Sequence, residues 1–229
     1  DACAKSNVKM MVQISTDKAI NPTSIMGATK RAAEMYCQAL DLASDGKGCR
    51  YVTVRFGNVL GSTGSVVPLF QRQLENGGPL TVTHPDMTRY FMTIREAVEL
   101  VLEASVVGVE GDQTAGRIFV LDMGEPIKIV DLAKQMIRLS GKEPDRDIAI
   151  QFTGTRPGEK LFEEVFHDGE TTVETAHDGL LLAAPRVVAI EVLNRQLAPL
   201  LKAAVAGDDT NVRRLIKDVI PEYSNEGGN

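Results

Sequence analysis

The apolar and polar positions along this chain predict short strands that alternate with amphipathic helices. Apolar runs of strand length lie at residues 9–14, 51–56, 80–83, 118–121 and 148–152. Apolar residues spaced near the helical repeat, together with local start and stop signals, predict six helices. These are 24–43, 67–76, 93–107, 125–139, 192–206 and 210–219. Alternation of this kind is typical of βαβ units in a parallel sheet. The last residues, 222–229, are predicted to fray.

Two local signals mark the ends of helices. Thr93 and Glu96 have the spacing of a capping box, in which each side chain bonds a backbone N–H of the first turn. Gly141 follows the apolar pattern of 125–139, and a glycine at this place is expected to end a helix in the left-handed conformation.

Composition narrows the classes of protein that the chain can represent. Its 229 residues are 43% hydrophobic, which is enough to bury a core. The net charge of −6 argues against a sequence-independent grip on nucleic acid. Cys3, Cys37 and Cys49 lack ligand spacing, so we predict reduced thiols and no metal site. No apolar run reaches the ~20 residues that a membrane helix needs.

A cluster of polar residues follows the first predicted strand. Ser15, Thr16, Asp17 and Lys18 come directly after the run 9–14. In the helix that follows, Met26 and Lys30 are four residues apart and share a face. Ligands of open α/β sheets bind at the carboxyl ends of strands, so this cluster is a candidate site. A helix cap beside a solvent-facing lysine is the alternative that the residues alone leave open.

The cluster resembles the active site of extended short-chain dehydrogenase/reductases that act on nucleotide-sugars. Their active-site helix carries Tyr-x-x-x-Lys, which here reads Met26 to Lys30. Ser-Thr-Asp-Lys-Ala followed by Met-Gly-Ala-Thr-Lys-Arg resembles the polysaccharide-biosynthesis branch, the UDP-N-acetylglucosamine 4,6-dehydratases, some of which use Met in place of Tyr. Further motifs of that branch occur in order at 55–61, 81–85, 87–94 and 156–161.

The resemblance implies catalytic roles for five residues. Lys30 would bond the nicotinamide ribose and favour deprotonation of the sugar 4-hydroxyl, where Met26 has no proton to transfer. Thr16 would hydrogen-bond that hydroxyl or relay its proton. Asp17 would be the acid and Lys18 the base of the elimination. A surface ion pair is the alternative for Asp17 and Lys18, and the catalytic reading requires a turn after Thr16.

The resemblance also implies binding residues. The backbone of Phe56 would approach the nicotinamide. The UDP-sugar would be held by six residues: Asn58, Arg89 and Arg156 at the diphosphate, Glu159 at a ribose hydroxyl, and Val66 and Val82 beside the uracil. Guanidinium suits a diphosphate because its planar fork forms paired, charge-assisted bonds. The valines are as readily explained as core residues.

The fold implied is the C-terminal part of an NAD(P)-binding Rossmann-like doubly wound parallel sheet, with a smaller α/β substrate-binding lobe. No G-x-G-x-x-G occurs, so we expect a longer parent protein to supply the glycine-rich cofactor loop. The expected segments are 1–65, a partial Rossmann-like half, 66–165, the substrate-binding region, and 166–229, a mostly helical extension. NAD or NADP, a cytoplasmic location with an inner-membrane anchor in the parent, and a homo-oligomer are further expectations.

Three functions remain open from the sequence. A nucleotide-sugar 4,6-dehydratase is favoured, because Asp17 and Lys18 supply an acid and a base that elimination requires. A UDP-sugar 4-epimerase on the same scaffold needs C4 oxidation but neither of these groups. A nonenzymatic sugar-nucleotide-binding module is the third.

Overall fold

The computed structural model describes residues 1–110, 114–167, 170–175 and 177–224. Its helices are α1 (Ala2–Lys5), α2 (Ile25–Ala43), α3 (Val66–Glu75), α4 (Ile94–Glu110), α5 (Ile129–Leu139), α6 (Ile190–Val205) and α7 (Asp209–Val219). Its strands are β1 (Met10–Thr16), β2 (Arg50–Phe56), β3 (Asn58–Val59), β4 (Leu80–Val82), β5 (Thr88–Arg89), β6 (Phe91–Met92), β7 (Ile118–Leu121), β8 (Ile127–Lys128), β9 (Ile150–Phe152), β10 (Thr171–Glu174) and β11 (Leu180–Ala184). Within these residues, no helix has both the length and the apolarity for a membrane crossing.

The main sheet has the strand order β1-β2-β7-β11-β10. Strands β1, β2 and β7 are parallel, as the alternating pattern predicts, and Thr16 pairs with Phe56 at one end of the sheet. Strands β11 and β10 join as an antiparallel pair that the sequence pattern did not indicate. The α/β fold class is confirmed, and the sheet is mixed at its β10 side.

Several short strands were also not predicted, and they change one helix boundary. Strand β8 pairs with β5 in an antiparallel ladder, so helix α5 begins at Ile129 rather than directly after Gly124. The predicted helix ends elsewhere agree well. Glu96 accepts from the Thr93 backbone N–H at 2.7 Å, which confirms the capping box, and Gly141 has a φ of +76°.

The chain divides into two compact units. Unit 1 comprises Asp1–Phe56, Glu99–Asp122 and the described part of Glu164–Asn225, and it contains the main sheet. Unit 2 comprises Gly57–Val98 and Met123–Glu163. The two units therefore interleave along the chain, whereas the sequence predicts consecutive segments; the boundaries 65/66 and 165/166 stay a prediction.

Each unit has its own hydrophobic core. In unit 1, one face of helix α2 packs against α6 and α7, with Met35, Leu193 and Ile216 almost fully buried. In unit 2, Phe70 of α3 and Ile137 of α5 pack against strand β4. Burial of a large apolar side chain contributes about 1.5–3 kcal/mol, so these clusters hold the helices in place.

The prediction of a frayed C-terminal tail is wrong for its first residues. Tyr223 is 3% exposed, and the Ser224 N–H donates to the Pro22 carbonyl at 3.1 Å. The polar composition of 222–229 gave no sign that Tyr223 enters the core. Residues 225–229 lie outside the described residues.

Candidate active site

A tight turn at the carboxyl end of β1 brings together Thr16, Asp17 and Lys18. The turn is a single 3₁₀ helix, Asp17–Ala19, and the Thr16 side chain accepts from the Lys18 N–H. Asp17 Oδ1 accepts from Thr16 Oγ1 at 2.8 Å and from Lys18 Nζ at 2.8 Å. The turn that the catalytic reading requires after Thr16 is therefore present.

Asp17 is a buried carboxylate whose two oxygens have different surroundings. The residue is 1% exposed, and its Oδ2 has no hydrogen-bond partner among the described residues. An unpartnered buried carboxylate oxygen is costly, and such groups are found where a ligand or water completes the bonds. Oδ2 is therefore the carboxylate oxygen of this cluster whose hydrogen bonds the described residues do not supply.

Gly27 fixes the turn against the start of helix α2, which sequence reasoning missed. Ser24 caps this helix by accepting from the Gly27 N–H at 3.1 Å. A Cβ at Gly27 would collide with the Lys18 carbonyl oxygen and would lie 3.1 Å from Pro22 Cβ. Only glycine permits this approach of the turn to the helix. The available signal was a glycine in the first turn of a predicted helix.

Lys30 lies one turn beyond Met26 on the same helix. Its Nζ donates to the Ile14 carbonyl of β1 at 3.2 Å, which holds the amine beside the strand. Met26 is 49% exposed and Ile14 is 41% exposed. An amine donor with exposed apolar side chains is suited to a ribose and a flat nicotinamide ring.

These surroundings fit only one end of the NAD(P) molecule. Lys30 would hold the nicotinamide ribose, and Phe56, which ends β2 beside Thr16, would offer its backbone. No G-x-G-x-x-G fingerprint occurs in the described residues, and the Gly/Ser-rich turn at 61–65 that precedes helix α3 belongs to unit 2 and does not follow a strand of the main sheet. The residues present therefore fit the nicotinamide end of the cofactor.

A buried charge network lies beneath the cluster. Glu34 of helix α2 is fully buried and accepts two bonds from Arg55 of β2, both at 2.8 Å. It also accepts from Ser15 Oγ at 2.6 Å and from Arg31 at 3.1 Å. Burial alone would raise the pKa of Glu34, but Arg55, with Arg31 and Ser15, holds that pKa below its usual value. The network ties both strands to helix α2.

Unit 2 contains a pocket of about 220 Å³. Its lining includes all six residues predicted to bind a UDP-sugar: Asn58, Val66, Val82, Arg89, Arg156 and Glu159. Small-molecule pockets usually measure roughly 300–1,000 Å³, so this one would enclose part of a nucleotide-sugar. Val82 is also fully buried and Val66 packs against the same core, as the core alternative expects, and their contact with uracil stays a prediction.

Arg89 is bonded in a way that the motif did not indicate. The residue is 6% exposed. Its guanidinium donates to three carbonyl oxygens: Thr88 at 2.7 Å, Leu161 at 3.2 Å and Lys160 at 2.8 Å. Glu159 and Glu163 lie at 3.7 and 3.6 Å. Arg89 therefore holds the chain around Leu161, and its contact with a diphosphate stays a prediction.

Arg156 and Glu159 form a turn at the pocket. The Glu159 carboxylate accepts from the Arg156 N–H at 3.0 Å, and the Glu159 N–H donates to the Arg156 carbonyl at 3.0 Å. Arg156 itself is exposed. Its guanidinium can therefore reach an anion in the pocket without first breaking a buried contact, which makes it the stronger candidate for the diphosphate.

Hydroxyl groups at the pocket were missed by sequence reasoning. Thr81, Thr83 and Thr153 line it, and so does Ser65, the residue that precedes helix α3. The Ser65 Oγ is buried without a partner among the described residues. The N-terminus of α3 thus opens toward a polar pocket, a position that suits a phosphate group. The Gly/Ser-rich turn at 61–65 was the available signal.

Comparison with known proteins defines the class and the family. The chain has a Rossmann-like α/β fold, which it shares with solved structures that include a UDP-N-acetylglucosamine 4-epimerase and a dTDP-glucose 4,6-dehydratase. It belongs to the polysaccharide biosynthesis protein family, whose model matches residues 1–185.

Two relatives and one solved structure show the range of the likeness. The chain is 57% identical over 170 residues to the capsular polysaccharide biosynthesis protein CapD of Staphylococcus aureus, covering 74% of this chain and 27% of CapD. It is 39% identical over 166 residues to UDP-glucose 4-epimerase of Rickettsia typhi, covering 72% and 45%. The X-ray structure of Pen from Bacillus thuringiensis matches with a TM-score of 0.71 and 34% identity, covering 82% and 55%. The chain thus spans only part of each.

A more distant structure shares the fold alone. This is dTDP-glucose 4,6-dehydratase from Bacillus anthracis in complex with NAD, at 19% identity and a TM-score of 0.51, covering 66% of this chain and 52% of that one.

Proposed function

We propose that the full-length protein is a nucleotide-sugar 4,6-dehydratase that acts on a UDP-N-acetylglucosamine-type substrate in bacterial surface polysaccharide biosynthesis. The observation that carries the proposal is the Thr16–Asp17–Lys18 turn, where a buried carboxylate and an amine share a 2.8 Å bond. Elimination of water requires one acid and one base at adjacent carbons, and an epimerase has no use for this pair. The likeness to CapD supports the role in polysaccharide biosynthesis.

The reaction divides among the residues of unit 1. NAD(P), when bound, would supply the hydride acceptor for sugar C4 and the hydride donor for C6. Lys30 would hold the ribose, and its positive charge favours loss of the 4-hydroxyl proton, which Thr16 bonds and relays to water. Met26 leaves room beside Lys30 without taking part in proton transfer.

Elimination then uses the other two residues. Oxidation at C4 makes the C5 proton acidic, and the Lys18 amine removes it once the proton shared across the 2.8 Å bond has passed to Asp17. The electron pair forms a C5–C6 double bond, the C6–O bond breaks, and Asp17 gives a proton so that water leaves. Lys18 returns a proton to C5 when the hydride adds at C6. The residues of the unit 2 pocket bind the UDP part, with Arg156 at the diphosphate and Val66 and Val82 beside the uracil.

Other attributes belong to the same proposal. The cofactor is NAD or NADP, and the catalytic domain faces the cytoplasm, with an inner-membrane anchor elsewhere in the protein. A homo-oligomer is the expected assembly.

A UDP-sugar 4-epimerase is the second candidate, because the Rickettsia relative with 39% identity is a UDP-glucose 4-epimerase. A nonenzymatic sugar-nucleotide-binding module is the third, supported by the unit 2 pocket alone. Binding of UDP with no turnover of any UDP-sugar would favour the module.

The test of the proposal is Lys18→Met in the full-length enzyme with Lys18→Arg beside it. Removal of a general base typically costs a factor of roughly 10²–10⁴. We expect slow exchange of the C5 proton with deuterated solvent, and a C4-oxidised sugar that keeps its 6-hydroxyl, in both variants. Formation of a 4-keto-6-deoxy product at the normal rate in Lys18→Met would place the base elsewhere.

A further inference from the structure

The residues after helix α7 contact the loop that leads into the active-site helix. Ile220 is fully buried and Tyr223 nearly so, in the core cluster that also contains Ala28 of helix α2. The Ser224 N–H donates to the carbonyl of Pro22 at 3.1 Å. Pro22 lies between the 3₁₀ turn and helix α2. The C-terminal segment therefore contacts the loop that joins Lys18 to the helix of Lys30.

Glu222, in the same segment, reaches the helix itself. Its Oε1 accepts from Nε of Arg31 at 3.1 Å, and Arg31 is 1% exposed. Arg31 Nη1 in turn donates to Glu34. Glu222 therefore adds a second carboxylate to a buried guanidinium and joins the C-terminal segment to the charge network.

Three members of this network are direct chain neighbours of predicted site residues. Arg31 follows Lys30, Ser15 precedes Thr16, and Arg55 precedes Phe56. Ser15 and Arg55 are also opposite each other in the β1–β2 register. Both bond Glu34 of helix α2, so the network fixes the ends of the two strands against the helix that carries Lys30.

We propose that Glu222 is a positioning residue, which holds Arg31 and thereby the first turns of helix α2 in the placement that catalysis by Lys30 requires. The inference rests on the proposed function. Glu222 lies beyond residues 1–185, the part of the chain that matches the family model.

The proposal separates catalysis from binding. The residues predicted to bind the UDP part are in unit 2, and Glu222 is in unit 1. Neutralising Glu222 leaves Arg31 with a weaker acceptor, which loosens the helix start without unpairing Glu34 from Arg55. Misplacement of a reacting group by about 1 Å can cost as much as 10²-fold, so a change in kcat with little change in KM is the expected signature.

The experiment uses hydrogen exchange and turnover of the full-length protein. Glu222→Gln removes the charge, Glu222→Asp keeps it, and Asp218→Asn is a matched control, since Asp218 is exposed and pairs with the exposed Arg214 at 3.5 Å. In Glu222→Gln we expect about tenfold faster exchange in the peptide 20–32 and about tenfold lower kcat, with KM within about twofold. Glu222→Asp should restore part of both, and Asp218→Asn should change neither.

Each other outcome overturns the proposal. Unchanged exchange in 20–32 for Glu222→Gln, or equal acceleration in the peptide that contains β7, would show no specific hold on the helix. Faster exchange in 20–32 with a normal kcat would show a structural contact without a positioning role. The proposed function fails separately: wild-type protein that converts no nucleotide-sugar would refute it, whatever the exchange data show.

Discussion

The two regions that carry the predicted functional residues differ in what their polar groups bond. In unit 1, Asp17 bonds Thr16 and Lys18, and the network below bonds Glu34 to Arg55, so the geometry is set by the protein itself. In unit 2, Arg156 is exposed and hydroxyl groups line an open pocket. The first arrangement is typical of groups that must be held in one place for chemistry, and the second of groups that receive a ligand.

The largest effect is expected from removing the amine of unit 1. Lys30→Ala in the cofactor-replete full-length enzyme should lower kcat by roughly 10²–10⁴, because the charge that favours deprotonation of the 4-hydroxyl is lost. UDP affinity, measured by calorimetry, should stay within about twofold. Full turnover in this variant would contradict the division of roles between the units.

A change at Gly27 tests whether the turn must approach the helix. Alanine normally favours a helix over glycine by about 1 kcal/mol, yet Gly27→Ala should destabilise the protein by about 1–3 kcal/mol because its Cβ would overlap the Lys18 carbonyl. Urea unfolding and turnover should both decline. Thr29→Ala, at an exposed position of the same turn of helix, is the control and should alter neither. A stabilised Gly27→Ala would show that the turn can move away freely.

The two arginines of the unit 2 pocket are expected to differ in role, Arg156 in binding and Arg89 in stability. Arg156→Ala should weaken UDP binding by about 1.5–3 kcal/mol, the range for a hydrogen bond to a charged group, and leave the unfolding midpoint unchanged. Arg89→Ala should lower the unfolding midpoint, because three carbonyl oxygens lose their donor. If Arg156→Ala bound UDP normally, the exposed arginine would be removed from the diphosphate site.

Lowering the pH should reduce the stability of unit 1 before that of unit 2. This is the smallest of the expected effects. Burial, and then the charge of Arg55, lowers the pKa of the His167 ring below 6.5. The folded state then binds this proton less readily than the unfolded chain, so stability is fully present above about pH 6.5 and is lost as the pH falls through the window below it. The pKa of Glu34 is lowered too, and its contribution is lost only below about pH 4.5.

Hydrogen exchange in peptides from β2 and β7 measures this effect. Between about pH 7.5 and 5.5, after correction for the intrinsic exchange rate, protection in unit 1 should decline in the wild type and decline less in His167→Gln. His84→Gln, in unit 2, should behave like the wild type. The same decline in His167→Gln as in the wild type would remove His167 from the explanation.

The sequence predicted the helices well, and it predicted which residues line one pocket, because both depend on local patterns and motifs. The periodicity of apolar residues gave the helices α2, α5, α6 and α7 to within a few residues, apart from the start of α5. The motifs grouped six residues that do line one pocket. Long-range pairing was not predictable: the antiparallel β11 and the burial of Tyr223 depend on partners far away in the chain.

The site shows the same limit. Thr16, Asp17 and Lys18 were predicted as neighbours, but the network that supports them was not, because Glu34, Arg55 and Glu222 are distant in sequence and each is ordinary by itself. Arg89 is the opposite case: its motif predicted a contact with a ligand, but in the structure its guanidinium donates to backbone carbonyls.

The most direct test of the central claim is the product that the full-length enzyme forms from UDP-N-acetylglucosamine, analysed by mass spectrometry and proton NMR. The account predicts a sugar nucleotide lighter by one water molecule, with a C4 carbonyl and a C6 methyl group. A product of unchanged mass with inverted configuration at C4 would contradict it and establish the epimerase.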